Sequence, residues 1–215
     1  MVRNLQKYLY WCRMAAAPKR PPLPQGFGLL YDFANSLDLR RFVQGGVSHT
    51  TGDKLTTVEQ LEEWMRGRGL LEKGVRLSRS DYRKAIELRE ALRQFLRHAP
   101  PDRRGSGAAA QLNAAASNFP LIVRVSEAGE LELQPESRAA LSGLGRILAD
   151  LQLAGESGNL DRLKMCASDE CRWVFYDRSK PATRRWCSSA LCGNRQKTRT
   201  YRTRHRQRPT SPQGA

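Results

Sequence analysis

No stretch of the 215-residue chain approaches the roughly twenty apolar residues that cross a bilayer, and the N-terminus offers no secretion signal. Its apolar run Tyr8–Cys12 is broken by Arg13 before it reaches the length of a signal core, although Ala15–Ala17 imitates a cleavage site. Histidine is scarce, at three residues. His49 and His98 stand alone, outside any catalytic or metal-binding spacing, and read as surface or core residues. The chain has no glycine-rich phosphate loop, no motif uniting a serine, a histidine and an aspartate, and no internal repeat. A membrane-spanning protein, a P-loop nucleotide hydrolase and a triad hydrolase are thereby disfavoured. The expectation is a cytoplasmic protein that is not an enzyme.

Acidic residues are the other shortage. Against 37 Lys/Arg stand 21 Asp/Glu, for a net charge of +16, and no acid precedes Asp32. The excess sits at the two ends: residues 1–24 hold five cations and no acid, residues 160–215 hold fourteen against four, and residues 25–159 hold eighteen against seventeen. A nearly neutral body with a strongly basic C-terminal module suits a nucleic-acid binder, whose affinity comes largely from neutralising phosphates and releasing counterions. A merely solvated charge run is the plainer alternative. Residues 1–24, with four prolines between Pro18 and Pro24, read as a basic disordered arm in which Met14 competes with Met1 as the biological start. Cys12 lies in that arm and reads as a free thiol. Residues 207–215 read as a disordered tail.

The body, residues 25–155, reads as a helix-rich α+β domain. Leu30, Phe33, Ala34 and Leu37 recur at helical spacing, which predicts a first helix over Phe27–Val43 with Asp32 and Asn35 on its wet side. A glycine turn follows at Gly45 and Gly46. Thr56-x-x-Glu59 has the pattern of a capping box, and the helix it opens carries Val58, Leu61, Trp64 and Met65 on one face until Gly67 and Gly69 end it. Ser78 or Ser80 caps a longer helix through His98, with Tyr82, Ala85, Leu88, Leu92 and Leu96 inward and arginines outward, stopped by Pro100 and Pro101. Alanine propensity predicts a short helix over Ala108–Ala116. Leu121–Val125 and Leu131–Leu133 flank a turn near Ala128–Gly129 and predict a small hairpin, after which Pro135 suits the first turn of a helix to about Leu153. Gly155–Gly158 joins body to module and is too short for a free linker, so the two parts are expected to touch while each folds separately.

Four of the five cysteines fall in the module, as Cys166-x4-Cys171 and Cys187-x4-Cys192, two close pairs fifteen residues apart. Thiolates at the corners of a tetrahedron bind zinc, and a short chain supplies them most simply as two pairs on two turns. Two disulfides or four unrelated buried thiols would also fit the count, but disulfide scaffolds belong to small secreted domains. One structural zinc ion is therefore the expected cofactor. Catalytic zinc keeps an open position, and four thiolates close the shell, so a zinc nuclease is the weakest reading of the module.

Around those ligands, Leu163–Cys166 reads as a strand, Ala167–Glu170 as a knuckle and Arg172–Tyr176 as a second strand packing either Trp173 and Phe175 or Val174 and Tyr176 around the metal. Asp177–Pro181 supplies a turn. The second cysteine pair opens a helix, with Cys192 in or near its first turn. The sum is a treble-clef-like finger over residues 160–206. Gly193 lets the backbone pass close to the metal, and Asn194 is placed to hydrogen-bond the knuckle or a thiolate. Arg172, Arg184, Arg185 and Arg195 are expected to stabilise the anionic sulfurs. Beyond the finger run two stripes at helical spacing, Arg195, Arg199, Arg202 and Arg206 on one and Lys197, Tyr201, Arg204 and Arg208 on the other. Arg195, Arg199, Arg202, Arg204 and Arg206 are the expected phosphate contacts, with Gln196 and Lys197 nearest a base edge. His205 is not needed as a ligand.

Cys187-Ser-Ser-Ala-Leu-Cys-Gly-Asn-Arg195, preceded by Cys166-x4-Cys171 and Trp173-x-Phe-Tyr-Asp177, resembles the CGNR zinc-finger family. Leu29-Leu-Tyr-Asp-Phe-Ala-Asn35 and Gly52-Asp-Lys-Leu-Thr-Thr-Val-Glu-Gln-Leu-Glu-Glu-Trp64 resemble its usual companion, the ABATE domain of stress-induced transcription regulators, with Tyr31 and Ser36 departing from the commoner residues. The resemblance implies a bacterial protein that binds DNA through the finger and regulates transcription. RNA or the ribosome is the alternative partner, because phosphate contacts do not distinguish the two polymers. A homodimer would supply a second basic helix. The residues point to no particular small-molecule effector.

Overall fold

The computed structural model describes residues 23–24, 26–44, 47–105, 107–137 and 139–206. Most of the expected N-terminal arm, with Cys12 and Met14, the glycine turn at Gly45–Gly46, and the tail with Arg208 lie outside the described residues. Leu23, at the end of that arm, packs against the core.

Helix α1 spans Phe27–Ala34, half the length that the apolar spacing predicted. Asn35 ends it: its N–H still donates to the Tyr31 carbonyl, and the Ser36 hydroxyl caps the Phe33 carbonyl. The chain then extends into β1 (Leu37–Asp38) and β2 (Phe42–Gln44). β2 pairs with β3 (Val47–His49), and β1 pairs with β4 (Gly52–Asp53), both antiparallel. Leu37 thus belongs to a strand, because the apolar period cannot show where competing side-chain bonds stop a helix.

Helix α2 (Val58–Arg66) is capped one residue later than expected. The Thr57 hydroxyl accepts from Gln60 N–H, while the Gln60 side chain accepts from both the N–H and the hydroxyl of Thr56. Helix α3 (Arg79–Arg97) opens on Ser78 with a reciprocal box to Asp81. It buries Leu88, Leu92 and Leu96 as expected, but Arg89 and Arg93 point inward as well. Arg89 grips both oxygens of Asp53, at 2.6 and 2.7 Å, and Arg93 donates to the carbonyls of Ala34, Leu37 and Arg172. A guanidinium in the core is tolerable only when its donors are matched in this way.

A 3-10 turn at Pro100–Arg103 leads to α4 (Gly107–Ala116) and then to the hairpin of β5 (Leu121–Val125) and β6 (Leu131–Pro135). Gly129, at φ 80°, closes its turn. Pro135 does not open a helix. It ends β6 opposite Leu121, and α5 (Gly145–Glu156) begins ten residues later. The intervening turn lies hard against the α2–α3 loop: a Cβ on Gly143 would sit 2.0 Å from the Leu70 carbonyl oxygen.

Two further strands, β7 (Leu163–Met165) and β8 (Val174–Tyr176), pair antiparallel. They lead to a π-helical turn at Ser189–Gly193 and to α6 (Asn194–Arg206). Leu30 and Phe33 of α1, Leu61 and Met65 of α2, Leu88 and Leu92 of α3, and Ile147 of α5 form one core, and Leu163, Met165 and Val174 of the finger belong to it. The finger's first hairpin is therefore a layer of the body.

Candidate metal centre and basic helix

The finger grows out of that hairpin. After β7 the Cys166 N–H donates to the Trp173 carbonyl, and the Cys171 and Arg172 N–H groups both turn back to the Ser168 carbonyl, which makes the knuckle. Arg172 takes a left-handed φ of 49° to complete it. The Ala167 N–H donates to the Arg185 carbonyl and carries the second cysteine pair alongside. Behind the knuckle, Asp177 is fully buried and organises the connecting loop. Its carboxylate accepts from Lys164 Nζ at 3.0 Å, from the Ser179 hydroxyl at 2.6 Å and N–H at 3.0 Å, and from the Arg184 N–H at 2.8 Å. Burial alone would raise that carboxyl, but these donors pull it down to about 2.

The four sulfurs of Cys166, Cys171, Cys187 and Cys192 all lie within 4.8 Å of one another, and three of the four residues are buried. Cys171 Sγ is 3.6 Å and Cys192 Sγ 3.8 Å from Cys187 Sγ. Sulfurs about 2.3 Å from a tetrahedral ion are about 3.8 Å apart, whereas a disulfide needs about 2.05 Å. The donor set therefore fits one zinc ion. Hydrogen bonds from Cys171 and Cys187 hold the Cys166 thiol well below its ordinary value, and the same sharing pushes Cys171 and Cys187 up, while burial raises Cys192. Four thiolates this close are compatible only around a dication.

Phe42 from β2 and Phe175 are buried against the cysteines, with Trp173, Trp186 and Leu191 around the edge. The body thus supplies part of the wall around the cluster. It also supplies the dock. The Asn35 side chain donates to the Val174 carbonyl at 3.0 Å and accepts from the Val174 N–H at 2.9 Å. The Trp173 indole donates to the Tyr31 hydroxyl at 2.8 Å and lies edge-on to its ring, while Arg40 stacks on its face at 3.9 Å. Arg103 donates to the Leu160 and Leu163 carbonyls. Periodicity placed Asn35 in water; the structure buries it, at 5% exposure. Phe42, Tyr31, Asn35 and Arg40 were not legible as finger contacts, since their partners lie more than a hundred residues away. The one sequence hint was a polar residue ending an apolar motif.

The residues expected around the sulfurs divide. Arg184 donates to the Cys187 carbonyl at 2.9 Å. Arg185 instead lies over the Trp186 ring, Arg172 pairs with Asp169, and Arg195 stacks on Phe42 at 4.1 Å. Asn194 donates to the Ala190 carbonyl at 3.2 Å, not to the knuckle or a thiolate, because it stands at the start of α6 and reaches back one turn. A Cβ on Gly193 would meet its nearest protein atom at an ordinary 3.7 Å, so crowding by protein atoms does not explain that glycine.

Helix α6 begins at Asn194, two residues after the ligand Cys192, so the cluster fixes its base. Gln196, Lys197, Arg199, Arg202 and Arg204 along it are exposed. Arg195, Arg199 and Arg202 line a cleft with Val43 and Glu170, in which Arg199 meets Glu170 at 2.6 Å. Lys197, Tyr201 and Arg204 line a second cleft with Trp186. Three members of each stripe read from the sequence thus line a separate cleft.

A model of the ABATE family, described as a putative stress-induced transcription regulator, matches residues 28–155, more than half of the chain. The chain belongs to the ABATE family. A CGNR zinc-finger model matches residues 162–205, and the name of that finger is spelled by Cys192-Gly193-Asn194-Arg195 at the junction of metal cluster and helix. Among curated proteins no significant match is found. The ABATE match spans the body as far as α5, and the docking residues Tyr31, Asn35 and Arg40 lie inside it, so the matched region is also the seat of the finger.

Proposed function

We propose that the protein is a DNA-binding transcription regulator, in which one structural zinc ion organises the finger and α6 meets the phosphates of a duplex. The observation that carries this reading is the placement of α6. It is anchored at Cys192–Asn194, and residues 196–199 and 201–205 along it are exposed. It bears six Lys/Arg and no acid over Asn194–Arg206, so its field is directed outward from a fixed base. The closed four-thiolate shell supports a structural metal and argues against a zinc enzyme. Among the described residues no helix is long and apolar enough to cross a membrane. Pairing of two chains would add a second helix. The outer face of the β5–β6 hairpin, with Val123, Val125 and Leu131 each more than 60% exposed, is the surface we assign to it. Nothing in the finger's geometry favours RNA over DNA.

Replacing Arg199, Arg202 and Arg206 by alanine tests the assignment. The triple variant is expected to weaken binding to all duplex sequences and to flatten the dependence of log K on log salt by about three units, at about 0.9 per phosphate. An unchanged slope would show that the stripe does not meet the backbone. Competition of duplex DNA against structured RNA separates the two polymers.

A further inference from the structure

The second cleft of α6 is chemically unlike the first. Its volume is about 460 Å³, and its walls are the Trp186 indole on one side and Lys197, Tyr201, Arg204 and His205 on the other, with no acidic residue. Tyr201 and His205, one turn apart, hold their ring centroids 4.1 Å apart at a tilt of 49°, and Tyr201 is 64% exposed. Trp186 is held in place because it packs against the cysteine cluster, and the Arg185 guanidinium lies 5.4 Å from its ring. The other cleft of the helix, by contrast, holds Glu170, which occupies Arg199.

Backbone phosphates alone would be served by cations, and the Arg199 face has those. Three aromatic rings in one cleft with Lys197 and Arg204 add something a duplex backbone cannot use, since paired bases keep their faces stacked inside the helix. An unstacked base has both a free ring face and an attached phosphate. Aromatic platforms flanked by cations are how proteins hold single strands without reading sequence. We propose that the cleft between Trp186 and Tyr201 takes an unpaired base of DNA where single strand adjoins the duplex held by α6. The base stacks on Tyr201 with His205 behind it, and Lys197 and Arg204 take the adjoining phosphates. This inference rests on the DNA-binding reading above.

The test uses the full zinc-loaded chain and two probes, a blunt duplex and the same duplex with an unpaired overhang. The wild type is expected to prefer the overhang by about tenfold, in keeping with the loss seen when one stacking aromatic is removed. Tyr201→Ala should abolish the preference and Tyr201→Phe keep it, with blunt-duplex affinity, salt slope and zinc content unchanged in both. Tyr201 is the chosen position because Trp186 supports the metal cluster, so its loss would confuse stacking with folding. Equal binding of both probes by the wild type, or a preference that survives Tyr201→Ala, overturns the stacking site and leaves duplex binding standing. Failure to bind the blunt duplex at all overturns the DNA-binding reading itself. An RNA overhang bound more tightly than the DNA one overturns the choice of DNA.

Discussion

Asn35 acts toward β8 as a missing strand would, giving one donor and one acceptor to the backbone of Val174 in a buried setting. Asn35→Ala leaves both groups of Val174 without a partner, at about 1–3 kcal/mol each. The expected loss is about 3 kcal/mol in urea unfolding, with the finger loosened from α1. A change below the error of that measurement would mean the dock does not depend on this side chain. Asp177 makes a second residue-scale case, with a pH signature. Its folded value of about 2 lies below the ordinary 3.8, so the stability it contributes is fully present above about pH 4 and is lost as pH falls toward 2. The stability gap between wild type and Asp177→Asn should be about 2 kcal/mol at pH 7 and should shrink steadily below pH 4. A gap independent of pH would show that packing alone sets the role of Asp177.

At the scale of the element, α6 is a weak helix by composition. Thr198 and Thr203 turn their hydroxyls back to the carbonyls of Asn194 and Arg199, and six cations repel one another along thirteen residues. Its order comes from the cluster at its base and from the few contacts along its sides. One of these, Arg199 with Glu170, ties up a cation that the proposed function needs. An exposed ion pair is worth about 0–1 kcal/mol. Glu170→Gln is therefore expected to tighten duplex binding up to about fivefold at low salt, with the gain fading as salt rises. Fluorescence anisotropy at two salt concentrations checks this, and equal or weaker binding would show that the pair does not compete with phosphate. The β5–β6 hairpin presents the opposite situation. Its near end is covered by α5, where Leu121 packs on Gly145, while Val123, Val125 and Leu131 at its far end stay exposed.

At the scale of the whole molecule, the finger and the body share a core. Leu163 and Val174 are fully buried among residues of α1 and α3, Arg93 bonds the Arg172 carbonyl, and Arg103 bonds the Leu160 and Leu163 carbonyls. Charge balance suggested that residues 25–155 fold alone, but charge does not report on packing. Truncation after residue 159 would strip apolar cover from α1 and α3 and leave buried guanidinium groups and the Asn35 amide without partners. The expected product keeps much of its helical far-ultraviolet signal but loses near-ultraviolet dichroism and binds a hydrophobic dye. A sharp, cooperative melt of the fragment would restore the two-domain description. The same continuity means that the finger's orientation is set by the body, so anything that shifts α1 would move α6.

The four ligands, the zinc, the helix after Cys192 and the two basic stripes were all fixed by local sequence. Cysteine spacing and helical period act over a few residues, and such short-range constraints can be read in one dimension. The capped helix α3 and the β5–β6 hairpin were legible for the same reason. Tertiary structure decided what depends on distant partners. It ended α1 at Asn35 and turned Arg89 and Arg93 inward. It delayed α5 to Gly145 and merged the finger with the body. In each case a buried polar group found its partner, or a glycine its close neighbour, tens of residues away or more. Local propensity is worth a few tenths of a kcal/mol per residue, whereas a buried group left unpaired costs about 1–3 kcal/mol, so where the two compete the long-range partner wins.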